Sequence, residues 1–196
     1  MTENIILCGV GGQGTVLASR LISSAAMSRG IPVLSAETIG MAQRGGSVFS
    51  HLRMGGAPGE GGKLWCPMIA KGEADLILGF EPGEAVRMYP FLKPGGRMVV
   101  STRPVMPVTA ALSDTGYRAE DMLSWLRERL PALTVVDADR ALREVGSPKV
   151  LNLILLGAAV RSGALRLTAE DLKEAVRRLV PAKFHELNFR ALDYES

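Results

Sequence analysis

Ile5-Ile6-Leu7-Cys8-Gly9-Val10-Gly11-Gly12-Gln13-Gly14-Thr15-Val16-Leu17 stands near the start of a 196-residue chain. An apolar run enters a glycine turn of the form GxGxxG, and the turn enters a segment of different period. Ile5–Cys8 reads as a short buried strand, since a brief apolar run bounded by glycine is too short for a helix. From Thr15 to Arg29 the apolar residues Val16, Leu17, Leu21, Ile22, Ala25 and Ala26 share one helical face. Gly30 ends that helix and Pro32 blocks its resumption. Val33–Ala36 follows as a second strand. Strand, crossover helix and strand make a βαβ unit, which favours parallel strands and a right-handed connection.

The next strand has another character. In Ser47–Met54, the residues Val48, Ser50, Leu52 and Met54 face one way, and Ser47, Phe49, His51 and Arg53 the other. Such alternation predicts a half-exposed strand, antiparallel or at an edge. Gly55–Gly62 carries five glycines and Pro58 and reads as a hairpin tip or mobile loop. Asp75–Phe80 is a buried strand, and Glu81-Pro82 opens a helix that Pro94-Gly95-Gly96 closes. Arg97–Ser101 and Leu133–Val136 are further strands, with a helix over Met122–Leu130 between them. Val150–Arg161 is almost wholly apolar, which places it inside, against the sheet. Thr168-Ala169-Glu170-Asp171 starts a capped helix running to about Leu179. Pro181 breaks it, and Ala182–Leu192 is a last helix with Phe184, Leu187 and Leu192 inward. No repeat or composition break divides residues 1–196. The expected fold is a single three-layer α/β/α domain with a mixed, mostly parallel sheet and a helical C-terminal segment.

Composition narrows the function classes. Apolar residues make up 47% and charged residues 22%, ordinary globular values that speak against disorder. No apolar run approaches the roughly 18–20 residues of a membrane span, and Met1-Thr2-Glu3-Asn4 lacks the basic head of a signal peptide. A cytoplasmic protein without membrane contact is expected. Two cysteines and two histidines supply neither a disulfide framework nor an evident metal site. Net charge is +3, and residues 1–72 hold all of it, with six basic and three acidic side chains. The same segment holds 14 of the 22 glycines, which suits an anionic ligand or partner. The excess is too small, and aromatics too few, for nucleic acid.

A glycine turn between strand and helix directs backbone N–H groups at an anion, so Gly9, Gly11, Gly12, Gln13 and Gly14 are candidate ligand contacts. Glu37, 23 residues beyond Gly14, stands where a dinucleotide site keeps its ribose-binding carboxylate. The competing reading gives these glycines only a tight turn and close helix–strand packing. Gln43-Arg44-Gly45-Gly46 then departs from the dinucleotide pattern, which continues into another crossover helix. A guanidinium beside unhindered amides suits a carboxylate, a phosphate or a partner's acidic group. This loop is expected near the glycine turn, both leaving the carboxyl ends of neighbouring parallel strands. Cys8 reads as a core residue, Cys66 as accessible, and His51 and His185 as structural or surface groups. Asp137 and Asp139 suit a helix N-cap, and Asn152 a hydrogen bond inside the fold or across an interface. Met41, Met54 and Met68 suit either a rearranging interface or core filling.

Gly9–Gly14 with Thr15, followed by Ala36-Glu37-Thr38-Ile39-Gly40-Met41-Ala42-Gln43-Arg44-Gly45-Gly46-Ser47-Val48, resembles the gamma-type subunit of 2-oxoacid:ferredoxin oxidoreductases, nearest to the small subunit of the indolepyruvate branch. The likeness extends to Asp75–Gly79, to Pro148–Asn152 with Leu156-Gly157, and to Val180–Phe184. It implies oxidative decarboxylation of a 2-oxoacid, here indolepyruvate or another aryl-pyruvate, to an acyl-coenzyme A with reduction of ferredoxin. Thiamine diphosphate, Mg2+ and iron–sulfur clusters are then expected in a large partner subunit, with ferredoxin reached through the complex. A contact between this chain and coenzyme A is a further expectation, and no activity is expected of the chain alone. Two other readings stay open: an independent NAD(P)- or flavin-binding oxidoreductase, and a regulatory module for an anion such as a coenzyme A derivative.

Overall fold

Six strands form one sheet in the order β2-β3-β1-β4-β5-β6. They are β1 (Glu3–Val10), β2 (Val33–Glu37), β3 (Ser47–Met54), β4 (Ala74–Gly79), β5 (Leu92–Ser101) and β6 (Leu133–Val136). This computed structural model describes residues 2–37, 45–56, 64–106 and 116–195. Ile5, Ile6, Leu7 and Cys8 of β1 are fully buried. That burial follows from position: β1 takes β3 antiparallel on one side and β4 parallel on the other. β4, β5 and β6 continue in parallel. Only β3 runs against the rest, so the sheet is mixed and mostly parallel, as expected.

The βαβ reading needs one correction. β1 and β2 run the same way but do not touch, because β3 lies between them, with Val10 opposite Ser47 and Ser50 opposite Glu37. β3 is therefore antiparallel but not an edge, and its polar face is not open to water. Residues 64–69 strap across it: the Ile69 N–H donates to His51 Nδ1 at 3.0 Å, and Arg53 donates to the Cys66 carbonyl at 3.0 Å. His51 is only 2% exposed in consequence.

Helices cover both faces. The larger core joins α1 (Thr15–Ser28), α4 (Ala138–Val145), α5 (Leu151–Arg161), α6 (Ala169–Leu179) and α7 (His185–Leu192) to Ile5, Leu7, Leu52, Leu76 and Leu78 of the sheet. The smaller core sets α2 (Pro82–Met88) and α3 (Ala119–Arg129) against Ile6, Cys8, Ile77, Met98 and Val100. Alternate residues of β1 serve the two cores, as strand geometry demands. Inside the larger core, Leu151–Ala159 of α5 is buried all round. Thr168 and Asp171 form the expected capping box of α6, and Asp137 caps α4 by accepting from the Arg140 N–H at 3.0 Å.

Other boundaries moved. α3 starts at Ala119, three residues before its expected apolar start, because Glu120 and Asp121 suit a helix N-terminus without adding an apolar face. Pro94-Gly95-Gly96 lies within β5, not at a helix end; the helix stops at Met88 and a 3-10 turn, Tyr89–Phe91, follows. Phe184 is 43% exposed rather than inward, since Ala182–Phe184 is a separate 3-10 turn ahead of α7. Residues 57–63 of the glycine-rich loop, and Met41, lie outside the described residues. No helix among the described residues is long and apolar enough to cross a membrane.

Candidate functional site

β1 delivers the glycine turn to the carboxyl edge of the sheet. Gly12 and Gly14 adopt φ of 98° and 84°, the left-handed region that glycine enters without steric cost. Gly14 is the N-cap of α1, whose first amides have no side-chain acceptor. Gln13 lines a cavity above the turn, and both ends of its carboxamide are engaged within the fold. Its Oε1 accepts from the Val10 N–H at 2.7 Å, and its Nε2 donates to the Phe80 carbonyl at 3.0 Å, which staples the turn to the end of β4. Gly9 serves packing, because a Cβ there would lie 2.7 Å from Gln13 Oε1 and 2.8 Å from Phe80 Cβ. The Gly11 N–H donates to the Gly46 carbonyl at 2.9 Å.

Above the turn is a cavity of about 330 Å³, lined among others by Gly12, Gly14, Arg103, Val105, Lys149 and Asn152. The N-terminal ends of α1 and α5 meet there, each with orphan amides and a partial positive charge. Asn152 is 2% exposed. Its Oδ1 accepts from the Leu153 N–H at 3.1 Å, while its Nδ2 lies over Gly14, 3.0 Å from where a Cβ would stand. Backbone amides, one buried carboxamide and two cationic side chains thus converge on one space. That donor set fits a phosphate, a pyrophosphate or a carboxylate. The sequence marked Asn152 as notable; Arg103 and Lys149, 46 residues apart, carried no local sign of their convergence.

Glu37 does not join this site. It lines a separate groove of about 760 Å³ with Ser19, Arg20, Ser35 and Arg178. With β3 interposed, two strand spacings of about 5 Å each separate β2 from β1. Gly46 does sit beside the turn, but through the β1–β3 pairing rather than through neighbouring parallel strands. Gly45 has φ 86° and open space where a side chain would be. Gln43 and Arg44 lie outside the described residues.

A second constellation went unnoticed in the sequence, where Glu81-Pro82 signalled only a helix start. Glu81 and Glu84, at the β4–α2 corner, are 2% and 7% exposed. Glu81 accepts from the Glu84 N–H at 2.9 Å and from the Tyr117 hydroxyl. Burial pushes its pKa up, and Tyr117 and the backbone amides of Glu84 and Val105 oppose that shift. Burial and the Glu81 carboxylate push the Tyr117 phenol up. Ser47 Oγ donates to Glu84 Oε2 at 2.5 Å. Burial, with the two carboxylates nearby, raises the Cys8 thiol well above its usual range. Cys8 is therefore a core residue, as expected, and not a nucleophile. His185 holds the Val180 carbonyl at 2.7 Å, a structural contact.

Residues 4–194 match the family described as pyruvate ferredoxin/flavodoxin oxidoreductase. The chain is 34% identical to indolepyruvate oxidoreductase subunit IorB of Archaeoglobus fulgidus, over 98% of this chain and 92% of that one. A pyruvate/ketoisovalerate oxidoreductase common subunit gamma of Thermococcus kodakarensis is 25% identical over 94% and 90%. Among solved structures, the gamma subunit of a keto/oxoacid ferredoxin oxidoreductase from Geobacter sulfurreducens superposes with TM-score 0.65 at 23% identity, covering 97% of this chain and 94% of that one. The 2-oxoglutarate:ferredoxin oxidoreductase of Magnetococcus marinus, solved with 2-oxoglutarate, coenzyme A and succinyl-CoA, gives TM-score 0.70 at 19% identity, over 98% of this chain and 30% of that one. These two structures share the fold.

Proposed function

Because this chain belongs to the pyruvate ferredoxin/flavodoxin oxidoreductase family, we propose that it is the small subunit of an indolepyruvate-type 2-oxoacid:ferredoxin oxidoreductase, and that its glycine-turn cavity receives the phosphates of coenzyme A. The observation that carries the first part is the full-length likeness to subunits named for indolepyruvate, at 34% identity over 98% of the chain. The second part rests on the donors at Gly12, Gly14, Asn152, Arg103 and Lys149, which fit a pyrophosphate. Thiamine diphosphate, Mg2+ and iron–sulfur clusters belong, in this reading, to a large partner subunit. This chain's own donors do not fit a cluster: Cys8 is inside the core and Cys66 on the surface. When bound in the complex, thiamine diphosphate supplies the carbanion chemistry of decarboxylation; this chain orients the acyl acceptor and closes the assembly. Trp65 and Met68, 80% and 52% exposed, offer the large subunit an apolar contact. The half-buried Arg103, 3.9 Å from Asp139, and the exposed Lys149 favour a coenzyme A phosphate over an uncharged ligand.

The test is reconstitution. The chain alone is expected to oxidise neither indolepyruvate nor phenylpyruvate with ferredoxin or viologen as acceptor, and to gain that activity with the large subunit. Turnover by the chain alone would refute the subunit reading. Coenzyme A at about 100 times its dissociation constant is expected to stabilise the chain by about 2.7 kcal/mol in thermal unfolding. No shift up to millimolar coenzyme A removes the cavity assignment and leaves the subunit reading standing.

A further inference from the structure

Four chain segments are fastened to one corner of the fold, the turn from β4 into α2. Gln13 of the glycine turn donates to the Phe80 carbonyl. Ser47, next to the Gly46 that accepts from Gly11, donates to Glu84. Tyr117, on the approach to α3, donates to Glu81. The Val105 amide, in the wall of the glycine-turn cavity beside Arg103, bears on the same Glu81 carboxylate. A buried carboxylate with no cation against it costs free energy, and the fold offsets that cost only by converging donors on it. Glu81 also caps the N-terminus of α2 through the Glu84 N–H, and Arg87 stands 3.6 Å from Glu84; a helix cap alone does not call for the further donors from Tyr117 and Val105.

We propose that Glu81, with Glu84 beside it, is a positioning residue for the glycine-turn cavity: Glu81 holds the wall that carries Val105, and Glu84, through Ser47, holds the Gly46 carbonyl that receives the Gly11 amide of the turn. The proposal rests on the cavity being an anion site. An ionised carboxylate is acceptor-only and can serve Tyr117, Glu84 N–H and Val105 N–H together. A protonated Glu81 turns one acceptor position into a donor, so one of the three contacts is lost. Burial raises its pKa from the ordinary carboxylate value, so that loss comes at a higher pH than it would for an exposed carboxylate. The titratable groups facing it are Glu84 on its own helix, Tyr117 from the approach to α3, and Cys8 on β1; Arg87 stands 3.6 Å from Glu84. Neither Tyr117 nor Cys8 ionises in mild acid, since both are shifted upward.

The experiment uses the full chain with inorganic pyrophosphate as probe, followed by calorimetry and by backbone amide NMR from pH 7.5 to 5. In the parent, pyrophosphate affinity is expected to fall on acidification. The amide signals of Val105 and Gly46 are expected to move with one shared midpoint, that of the Glu81 carboxyl. Glu81→Gln is expected to bind about tenfold more weakly at pH 7.5, the size of one lost contact, and to lose the shared midpoint. Gly83→Ala keeps both charges but crowds Tyr117 Oη at 3.0 Å and Glu81 Oε2 at 3.1 Å, and should weaken binding in the same direction. Amides of Val105 and Gly46 that ignore Glu81 titration, or a Glu81→Gln protein that binds with parental affinity and pH profile, overturn the proposal. A parent that binds no pyrophosphate while those amides still follow Glu81 leaves the positioning role in place and removes the anion site instead.

Discussion

Gly157 sits where α5 passes the end of α7, and a Cβ there would run into the Leu192 carbonyl, the group that Arg161 also grips at 2.8 Å. Because the obstruction is backbone, it cannot swing aside. Gly157→Ala is expected to cost about 2–3 kcal/mol and lower the melting temperature by roughly 5–10 °C, despite alanine's better helix propensity. A melting temperature unchanged or raised would show that α5 and α7 can separate freely. His51 makes a second prediction. Burial lowers its pKa from 6.5, so the unfolded chain takes up the proton first. Its contribution to stability is full above pH 6.5 and is lost as pH falls below it. Glu81 has the opposite sign: its raised folded pKa favours the native state at low pH, and that contribution is lost as pH rises through the folded value. Chemical denaturation at pH 7.5 and 5.5 is expected to show lower stability in acid, and His51→Gln should flatten that slope. A slope unchanged by His51→Gln would mean that folding does not move the imidazole's pKa.

Among the elements, β3 decides most. Inserted between β1 and β2, it moves Glu37 into a groove apart from the glycine turn, which removes the geometry a ribose and a pyrophosphate need together. Calorimetry is therefore expected to find no measurable NAD binding, and micromolar binding that vanishes in Glu37→Ala would restore the dinucleotide reading. The sequence disclosed β3's boundaries and its antiparallel sense, because Val48 to Met54 alternate cleanly. Its position was hidden, since alternation reports which residues are half-covered and not by what. The covering strap at 64–69 has no period of its own, so the buried state of His51 could not be inferred. Similarly, GxGxxG announced an anion turn, and the structure keeps the turn but employs Gln13 and Gly9 for packing. The cations and the carboxylate corner come from loops far apart in the chain, and only the sheet order brings them together.

For the whole molecule, the net positive charge lies in residues 1–72, yet the cations at the glycine-turn cavity, Arg103 and Lys149, come from outside that segment. Arg44 remains the sequence's own candidate for a contact with the large subunit. A guanidinium fork pairing with a partly desolvated carboxylate is not replaced by an ammonium. Arg44→Ala is expected to melt like the parent yet weaken assembly with the large subunit by about 2–5 kcal/mol, with Arg44→Lys restoring only part. Assembly and turnover at parental levels in Arg44→Ala would make it an ordinary surface residue. The central place of β1 also has a bearing on synthesis. Its partners are Phe49 and Gly79, opposite Cys8 on either side, so both neighbours leave the ribosome well after β1 itself. During those seconds a strand with an apolar run over Ile5–Cys8 has two unsatisfied edges in the nascent chain. Protection by a chaperone, or by slow release, is thus a demand of the strand order itself, and a chain halted before β4 should aggregate rather than wait.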